Sequence, residues 1–158
     1  PEQRLRHKLK RMTNVQYINA DLDPRLADVQ MDITAIPHGD NHFDLVICNH
    51  VLEHIPDDRL AMRELFRVLK PGGQAILQVP IGLTLEQTIE DPSITDPAER
   101  EVRFGQFDHL RIYGQDYSDR LAEAGFDVQV HYPQQFLGEE LIERHALIGE
   151  ELVYVGTK

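Results

Sequence analysis

This sequence has a single cysteine and no long apolar run, which excludes disulfide-bonded, cysteine-zinc and membrane-spanning structures for these residues. Cys48 is the only cysteine among the 158 residues, so neither an internal disulfide nor a zinc site built from cysteines can form. No apolar stretch approaches the roughly 20 residues of a transmembrane helix, and no signal peptide is visible. We therefore expect a cytoplasmic chain without a membrane partner.

Positive charge is also in deficit. The net charge of −11 argues against nucleic acid as a partner, because contacts with a phosphate backbone need a basic surface. One basic cluster, within residues 2–12, has apolar residues at helical spacing and is interpreted as the solvated face of a helix. Length and composition are those of a single globular domain over residues 1–158.

The centre of the chain has the pattern of a strand, a helix and a second strand. Residues 43–48 are almost continuously apolar, as in a parallel strand buried on both faces. Asp57 or Asp58 can cap a helix that ends before Pro71. A glycine pair then permits a tight reversal into a strand over residues 74–79. This βαβ order predicts an α/β fold with a doubly wound, mostly parallel sheet.

The rest of the chain divides into shorter elements around one irregular segment. Residues 82–111 contain two Asp-Pro pairs, and Asp96-Pro97-Ala-Glu99 has the form of a helix start. This segment is predicted to be a lid of short helices that selects the substrate. Strands are expected at residues 15–20, 27–31, 126–132 and 151–155, and helices at residues 115–124 and about 138–147.

Polar side chains follow three of the predicted strands. Asp21, Asp32 and the pair Asn49-His50 each come just after a strand, and in a parallel sheet the carboxyl ends of the strands share one edge. One carboxylate there can accept hydrogen bonds from ribose hydroxyls, and another from an adenine amino group. The alternative is that these aspartates simply occupy turns, where aspartate is common.

Six segments, in this order, resemble the class I S-adenosylmethionine-dependent methyltransferases. They are Tyr17-Ile-Asn-Ala-Asp21, Met31-Asp32-Ile33, Phe43-Asp-Leu-Val46, Val51-Leu-Glu-His-Ile55, Leu69-Lys-Pro-Gly-Gly73 and Leu121-Ala-Glu-Ala-Gly-Phe126. The resemblance extends from the first helix to the last strand. It implies a Rossmann-like sheet of strand order 3-2-1-4-5-7-6 with the last strand antiparallel, S-adenosylmethionine as the cofactor and S-adenosylhomocysteine as its product.

The resemblance also implies which residues contact the cofactor. The positions that match the family's cofactor site are Asp21, Leu22, Asp32, Ile33, Asn49 and His50. The first aspartate matches the acid that holds the ribose hydroxyls, and the second matches the acid near the adenine amino group. The apolar residue after each aspartate lies beside the adenine. Asn49 and His50, called the rim from here on, match the family positions near the methionine part of the cofactor.

The family's first strand and its glycine-rich turn are not found. That turn is commonly Gly-x-Gly-x-Gly, whereas no two of the ten glycines here are separated by one residue. The chain starts in a helical pattern at Pro1, so we expect it to be the remainder of something longer, with strand 1 missing. The gap would lie in mid-sheet beside residues 43–48, where it leaves backbone groups unpaired. A homo-oligomer that exchanges strands could fill it.

A zinc-binding pattern overlaps the rim. His50-Val-Leu-Glu53-His54 has the His-x-x-Glu-His spacing of inverted zinc peptidases. That chemistry needs a helix at the first histidine, whereas this motif directly follows a strand and is closed by Pro56. We therefore predict no metal site, and His54 is interpreted as a packing residue beneath the rim.

Residues 107–113 close the lid and combine an imidazole, a cation and a phenol. His109 is the candidate catalytic base, because the pKa of histidine lies near neutrality. Arg111 and Tyr113 are the candidate substrate contacts. The alternative for this stretch is a connector with solvated charges.

The predicted function is methyl transfer from S-adenosylmethionine to a small or medium acceptor, with oxygen or nitrogen favoured over carbon. In-line displacement at a sulfonium methyl depends mainly on positioning, so the absence of a catalytic triad is no obstacle. The only other partner expected is the small-molecule substrate. The alternative is a non-catalytic domain of the same fold that acts as a partner or regulatory module.

Overall fold

The structure, a computed structural model, describes residues 3–144 and 151–158. Its helices are α1 (Gln3–Lys10), α2 (Asp58–Val68), α3 (Pro97–Phe104), α4 (Tyr117–Glu123) and α5 (Glu139–Arg144). Its strands are β1 (Ala20–Asp21), β2 (Val29–Gln30), β3 (Phe43–Asn49), β4 (Leu69–Gln78), β5 (Ile89–Glu90), β6 (Arg111–Ile112), β7 (Asp127–His131) and β8 (Val153–Thr157). Among these described helices, none is long and apolar enough to cross a membrane.

The main sheet has four strands in the order β3-β4-β8-β7. β3 and β4 are parallel, and β8 is antiparallel to both of its neighbours. β1 and β2 form a separate parallel pair, and β5 and β6 a separate antiparallel pair. The main sheet reproduces the 4-5-7-6 part of the predicted strand order, including its antiparallel last strand. The predicted α/β, Rossmann-like fold is therefore confirmed.

In the described ranges, β3 is hydrogen-bonded to a strand along one edge only, where it pairs with β4. A further strand at the other edge, whether absent or exchanged between copies, stays a prediction. The prediction that β3 is buried on both faces is wrong, because Leu45 and Ile47 are 49% and 37% exposed. The reason is that the core packs on the opposite face of the strand, at Val46 and Cys48.

Helix α2 forms where its cap and its apolar stripe predict it. The carboxylate of Asp57 accepts a hydrogen bond from the Leu60 N–H at 2.8 Å, which satisfies one of the free donors at the helix start. This assigns the cap to Asp57. One face of the helix is buried against the sheet through Ala61, Met62, Leu65 and Val68. Asp58 is also buried, and its carboxylate takes part in the ion-pair network described below.

The segment over residues 82–111 has one described helix, α3, and the β5–β6 pair. Asp96 accepts a hydrogen bond from the Glu99 N–H at 2.9 Å with Pro97 in the first turn, as the sequence predicts. Gly105, at φ 88°, ends the helix in the left-handed region. Its function as a lid, and the single-domain boundary, stay predictions.

Candidate active site

The pairing of β1 with β2 brings the backbones of the two predicted cofactor aspartates close together. Asp21 is in register with Gln30, and the Met31 N–H donates to the Asp21 carbonyl at 2.9 Å, one residue before Asp32. In each carboxylate, Oδ1 accepts hydrogen bonds from the turn that follows it. Oδ1 of Asp21 accepts one from the Asp23 N–H, and Oδ1 of Asp32 accepts two, from the N–H and the hydroxyl of Thr34.

These turn bonds orient the two carboxylates and leave acceptor capacity. Within the described ranges, Oδ2 of Asp21 and of Asp32 makes no hydrogen bond. The hydrogen bonds from the Thr34 hydroxyl and N–H lower the pKa of Asp32, which is exposed. Asp32 is therefore an anion at neutral pH and can accept further hydrogen bonds from a ligand.

The apolar residues next to the two carboxylates differ in exposure. Leu22 is 64% exposed, whereas Ile33 is partly buried against the core. An exposed leucine beside a carboxylate offers an apolar surface to a flat aromatic ring. The Leu22 backbone is fixed by the Gln30 side chain, whose amide donates to the Leu22 carbonyl at 3.1 Å.

Asn49 and His50 stand at the carboxyl end of β3, as predicted. Asn49 Oδ1 is buried and accepts no hydrogen bond from the described residues. His50 lies in the left-handed region at φ 53°, while its N–H donates to Gln78 at 2.8 Å and its side chain is 57% exposed. An unpaired buried acceptor and a non-glycine residue at positive φ are costly, and both are typical of ligand sites.

The structure assembles the predicted cofactor residues as two pairs. Asp21 lies with Asp32 at the β1–β2 pair, and Asn49 lies with His50 on the main sheet. No described hydrogen bond joins the two sheets at these residues. Their convergence into one site stays a prediction.

His109 is buried rather than open to an acceptor. It is 7% exposed, and its Nδ1 lies 3.1 Å from the Phe104 carbonyl oxygen. Its ring meets that of His54 edge-on, with 4.8 Å between the ring centroids. Its position therefore gives no support to the predicted role of catalytic base.

Glu53 is a buried carboxylate whose importance the sequence analysis missed. It is 1% exposed, and neither carboxylate oxygen has a hydrogen-bond donor among the described residues. The nearest side-chain nitrogens are His50 Nδ1 at 3.6 Å and His54 Nε2 at 4.0 Å from Oε1. The sequence signal that points to Glu53 is the His-x-x-Glu-His pattern, which places this carboxylate beside two histidines.

Arg111 is a structural residue in this conformation. It is 3% exposed and donates to the carbonyls of Leu52, Ile55 and Pro56 and to Glu90 Oε2. Four of the five guanidinium N–H groups are thereby used. The guanidinium group of Arg111 therefore holds the turn after β3 in place, and we do not propose it as a substrate contact.

Tyr113 is fully buried, so we do not propose it as a substrate contact either. Its hydroxyl donates to Asp58 Oδ2 at 2.7 Å, and its ring packs against Tyr117. Burial, with the nearby Asp58 charge, raises the pKa of Tyr113 far above its usual value. The phenol is therefore neutral and serves as a hydrogen-bond donor in the core.

Family and sequence comparisons agree on the kind of domain. Residues 3–77 match the family model described as a methyltransferase domain. The chain is 31% identical over 118 residues to the ubiquinone/menaquinone biosynthesis C-methyltransferase UbiE of Pasteurella multocida, a match that covers 73% of this chain and 40% of that protein. It is 41% identical over 69 residues to the demethylmenaquinone methyltransferase of Staphylococcus carnosus, covering 44% of this chain and 24% of the relative. The matched regions thus span less than half of either relative.

A solved structure supports the fold independently. A protein of Thermotoga maritima, described as a SAM-dependent methyltransferase and possible histamine N-methyltransferase, superposes with a TM-score of 0.53 at 20% identity. The superposition covers 88% of this chain and 72% of that one. At this identity the likeness concerns the fold alone.

Proposed function

We propose that this chain is a class I S-adenosylmethionine-dependent methyltransferase domain, which its similarity to the methyltransferase-domain model and to UbiE supports, and that it transfers a methyl group from S-adenosylmethionine to a small or medium acceptor. The observation that carries this proposal is the rim at the carboxyl end of β3, where Asn49 Oδ1 is buried without a donor among the described residues. A polar ligand would supply the missing hydrogen bond.

The residues of the rim and of the β1–β2 pair fit the polar parts of the cofactor. Asp21 would hold the ribose hydroxyls and Asp32 the adenine amino group, since both carboxylates keep a free oxygen in the described structure. Leu22 is exposed enough to lie against the adenine. Asn49 and His50 would contact the methionine part. When bound, S-adenosylmethionine supplies the electrophilic methyl group.

The chain's own contribution to the reaction would be positioning and exclusion of water. In-line displacement needs the acceptor atom held close to the methyl carbon, and no protein nucleophile is required. An acceptor could reach the imidazole of His50, whose side chain is 57% exposed on the rim. An acceptor could not reach the imidazole of His109, because that residue is buried.

We propose two acceptor classes, and the names of the relatives support their order. The name of the Pasteurella multocida relative specifies a C-methyltransferase of ubiquinone and menaquinone biosynthesis, and the match to it spans 73% of this chain. We therefore place a ring carbon of a quinone-type molecule in its reduced, quinol form first, because the electron-rich quinol ring can attack the methyl carbon and then lose the ring proton. An oxygen or nitrogen acceptor, which the sequence analysis favoured, comes second.

A methyl-transfer assay separates these acceptors and the non-catalytic alternative. The chain is incubated with methyl-labelled S-adenosylmethionine and either a demethylated quinol that dithionite keeps reduced, a catechol or a primary amine. Label on a quinol ring carbon supports the first candidate, and label on the catechol oxygen or the amine nitrogen supports the second. If no acceptor takes label although calorimetry shows bound cofactor, the two acceptor proposals fail. Absence of cofactor binding contradicts both acceptor proposals and favours the partner or regulatory module.

A further inference from the structure

Beneath the rim, two imidazoles and a carboxylate converge from separate parts of the chain. We propose that Glu53, His54 and His109 bind one divalent transition-metal ion. One ligand atom from each residue lies within 4.8 Å of the other two. This site is distinct from the proposed cofactor contacts, and it replaces the expectation from sequence that the chain has no metal site.

The strongest argument is the unpaired carboxylate of Glu53. The side chain is 1% exposed, and both oxygens are buried without a donor in the part of the chain that the structure describes. A buried carboxylate without partners is strongly unfavourable, and such groups in native proteins are paired or coordinate metals. The imidazole nitrogens at 3.6 Å (His50) and 4.0 Å (His54) are too far for hydrogen bonds.

Both histidines are oriented as metal ligands usually are. Nδ1 of His109 lies 3.1 Å from the Phe104 carbonyl oxygen, and Nδ1 of His54 lies 3.3 Å from the Asp108 carbonyl oxygen. When each Nδ1 carries the proton and donates to its carbonyl, each Nε2 keeps a free lone pair. A backbone carbonyl that fixes the ring in this way is the common second partner of a metal-binding histidine.

The three ligand atoms must move closer together to bind one ion. Ligand bonds of about 2.0–2.2 Å place neighbouring ligand atoms roughly 3 Å apart, compared with separations of up to 4.8 Å among the three atoms, including 4.0 Å between His54 Nε2 and Glu53 Oε1. The backbone already joins the two segments, because the Leu110 N–H donates to the Glu53 carbonyl at 2.9 Å. A shift of the Glu53 carboxylate, which no hydrogen bond among the described residues restrains, can bring the three ligand atoms together while the two imidazole rings keep their carbonyl partners.

The ligand set selects the class of ion. Two imidazoles and one carboxylate suit Zn²⁺, Co²⁺, Fe²⁺ or Mn²⁺, whereas Mg²⁺ and Ca²⁺ prefer all-oxygen sites. Three protein ligands also leave positions open for water or another ligand. The set shares Glu53 and His54 with the zinc-peptidase pattern. Its third ligand, however, comes from the segment after α3, so a helix at His50 is not required.

Cobalt binding tests the proposal without S-adenosylmethionine. Tag-free chain is stripped with a chelator and titrated with Co²⁺ under anaerobic conditions, and bound metal is measured by visible absorption and by elemental analysis. We expect one Co²⁺ per chain. H109Q and H54Q should each weaken binding at least tenfold, because each removes one of three ligands. The matched control is H42Q, since His42 is exposed and lies in another cluster with His38 and Phe43; its affinity should stay within twofold.

A thermal-unfolding series provides a second readout. A ligand that binds only the folded state raises the melting temperature, so Co²⁺ should raise it in the parent chain and in H42Q but not in H109Q. Circular dichroism of each metal-free variant checks that the variant is folded. Absence of saturable one-to-one binding, or equal binding by H109Q and the parent chain, overturns the proposal and leaves the proposed methyl transfer untouched.

Discussion

Exposure distinguishes predicted site residues whose side chains an organic ligand can reach from those whose side chains hold the fold. His50 and Leu22 are exposed on the predicted cofactor side, whereas Arg111 and Tyr113 are enclosed. Sequence reasoning could place all four near a site but could not distinguish these roles. The difference depends on contacts between distant residues, such as the bond from Tyr113 to Asp58, 55 positions apart.

Removing the Tyr113 hydroxyl tests its structural role. Y113F leaves Asp58 without a short buried hydrogen bond, so we expect the free energy of unfolding to fall by about 1–3 kcal/mol. Urea denaturation of Y113F is compared with that of Y132F, since Tyr132 is 37% exposed and its change should be small. A Y113F variant of unchanged stability but impaired acceptor affinity would restore the substrate role predicted from sequence.

At the scale of elements, local signals predicted what depends on neighbouring residues. The cap of α2 at Asp57 and the start of α3 at Asp96 are where the sequence places them. Strand β4 instead begins at Leu69, before the proline and glycines, because Leu69 pairs with Phe43 across an irregularity in register. Such pairing depends on a partner strand, so sequence periodicity could not reveal it.

In the candidate site, too, features that depend on neighbouring residues were predictable from the sequence, and contacts between distant residues were not. The aspartates at the carboxyl ends of β1 and β2 were predictable, because a carboxylate at the end of a strand is a local signal. The approach of His109 to Glu53, 56 positions apart, was not, because it depends on how residues 105–110 fold back onto the turn after β3.

The turn between α4 and β7 offers a test of close packing. Gly125 has φ 114°, and a Cβ there would lie 2.8 Å from the Phe66 ring. We therefore expect G125A to lower the free energy of unfolding by about 2–4 kcal/mol, from backbone strain and overpacking together. Gly39 is the matched control, because a Cβ added there has no heavy atom within 4 Å. Equal melting temperatures of G125A and G39A would contradict this account.

At the scale of the whole molecule, one ionic network joins the 82–111 segment to the main body. Arg111 and Arg120 lie between the carboxylates of Asp58 and Glu90, and Arg120 also pairs with Asp116. Burial opposes ionisation of Glu90, but hydrogen bonds from the two guanidinium groups outweigh it and lower its pKa. The network connects α2, α4, β5 and β6, so its charge state affects the stability of the whole chain.

This network predicts a specific acid sensitivity. Because the pKa of Glu90 is lower in the folded chain than its usual 4.5, its ionised form stabilises the fold above about that pH, and the contribution is lost as the pH falls through the folded-state pKa. Urea denaturation should show E90Q less stable than the parent chain at pH 7, with the difference shrinking below pH 4.5. E86Q, at an exposed glutamate, should follow the parent chain throughout. A gap between E90Q and the parent that is the same at pH 7 and in acid would exclude Glu90 as its source.

Isothermal titration calorimetry tests most directly whether this chain binds S-adenosylmethionine through the carboxylate of Asp21, at the end of β1. The parent chain should bind one cofactor molecule. D21N should weaken binding by at least about tenfold, since a hydrogen bond to a charged group contributes about 1.5–3 kcal/mol. D23N should bind nearly as well as the parent chain, because Asp23 pairs instead with Arg25. No saturable binding by the parent chain, or equal binding by D21N, would contradict the account.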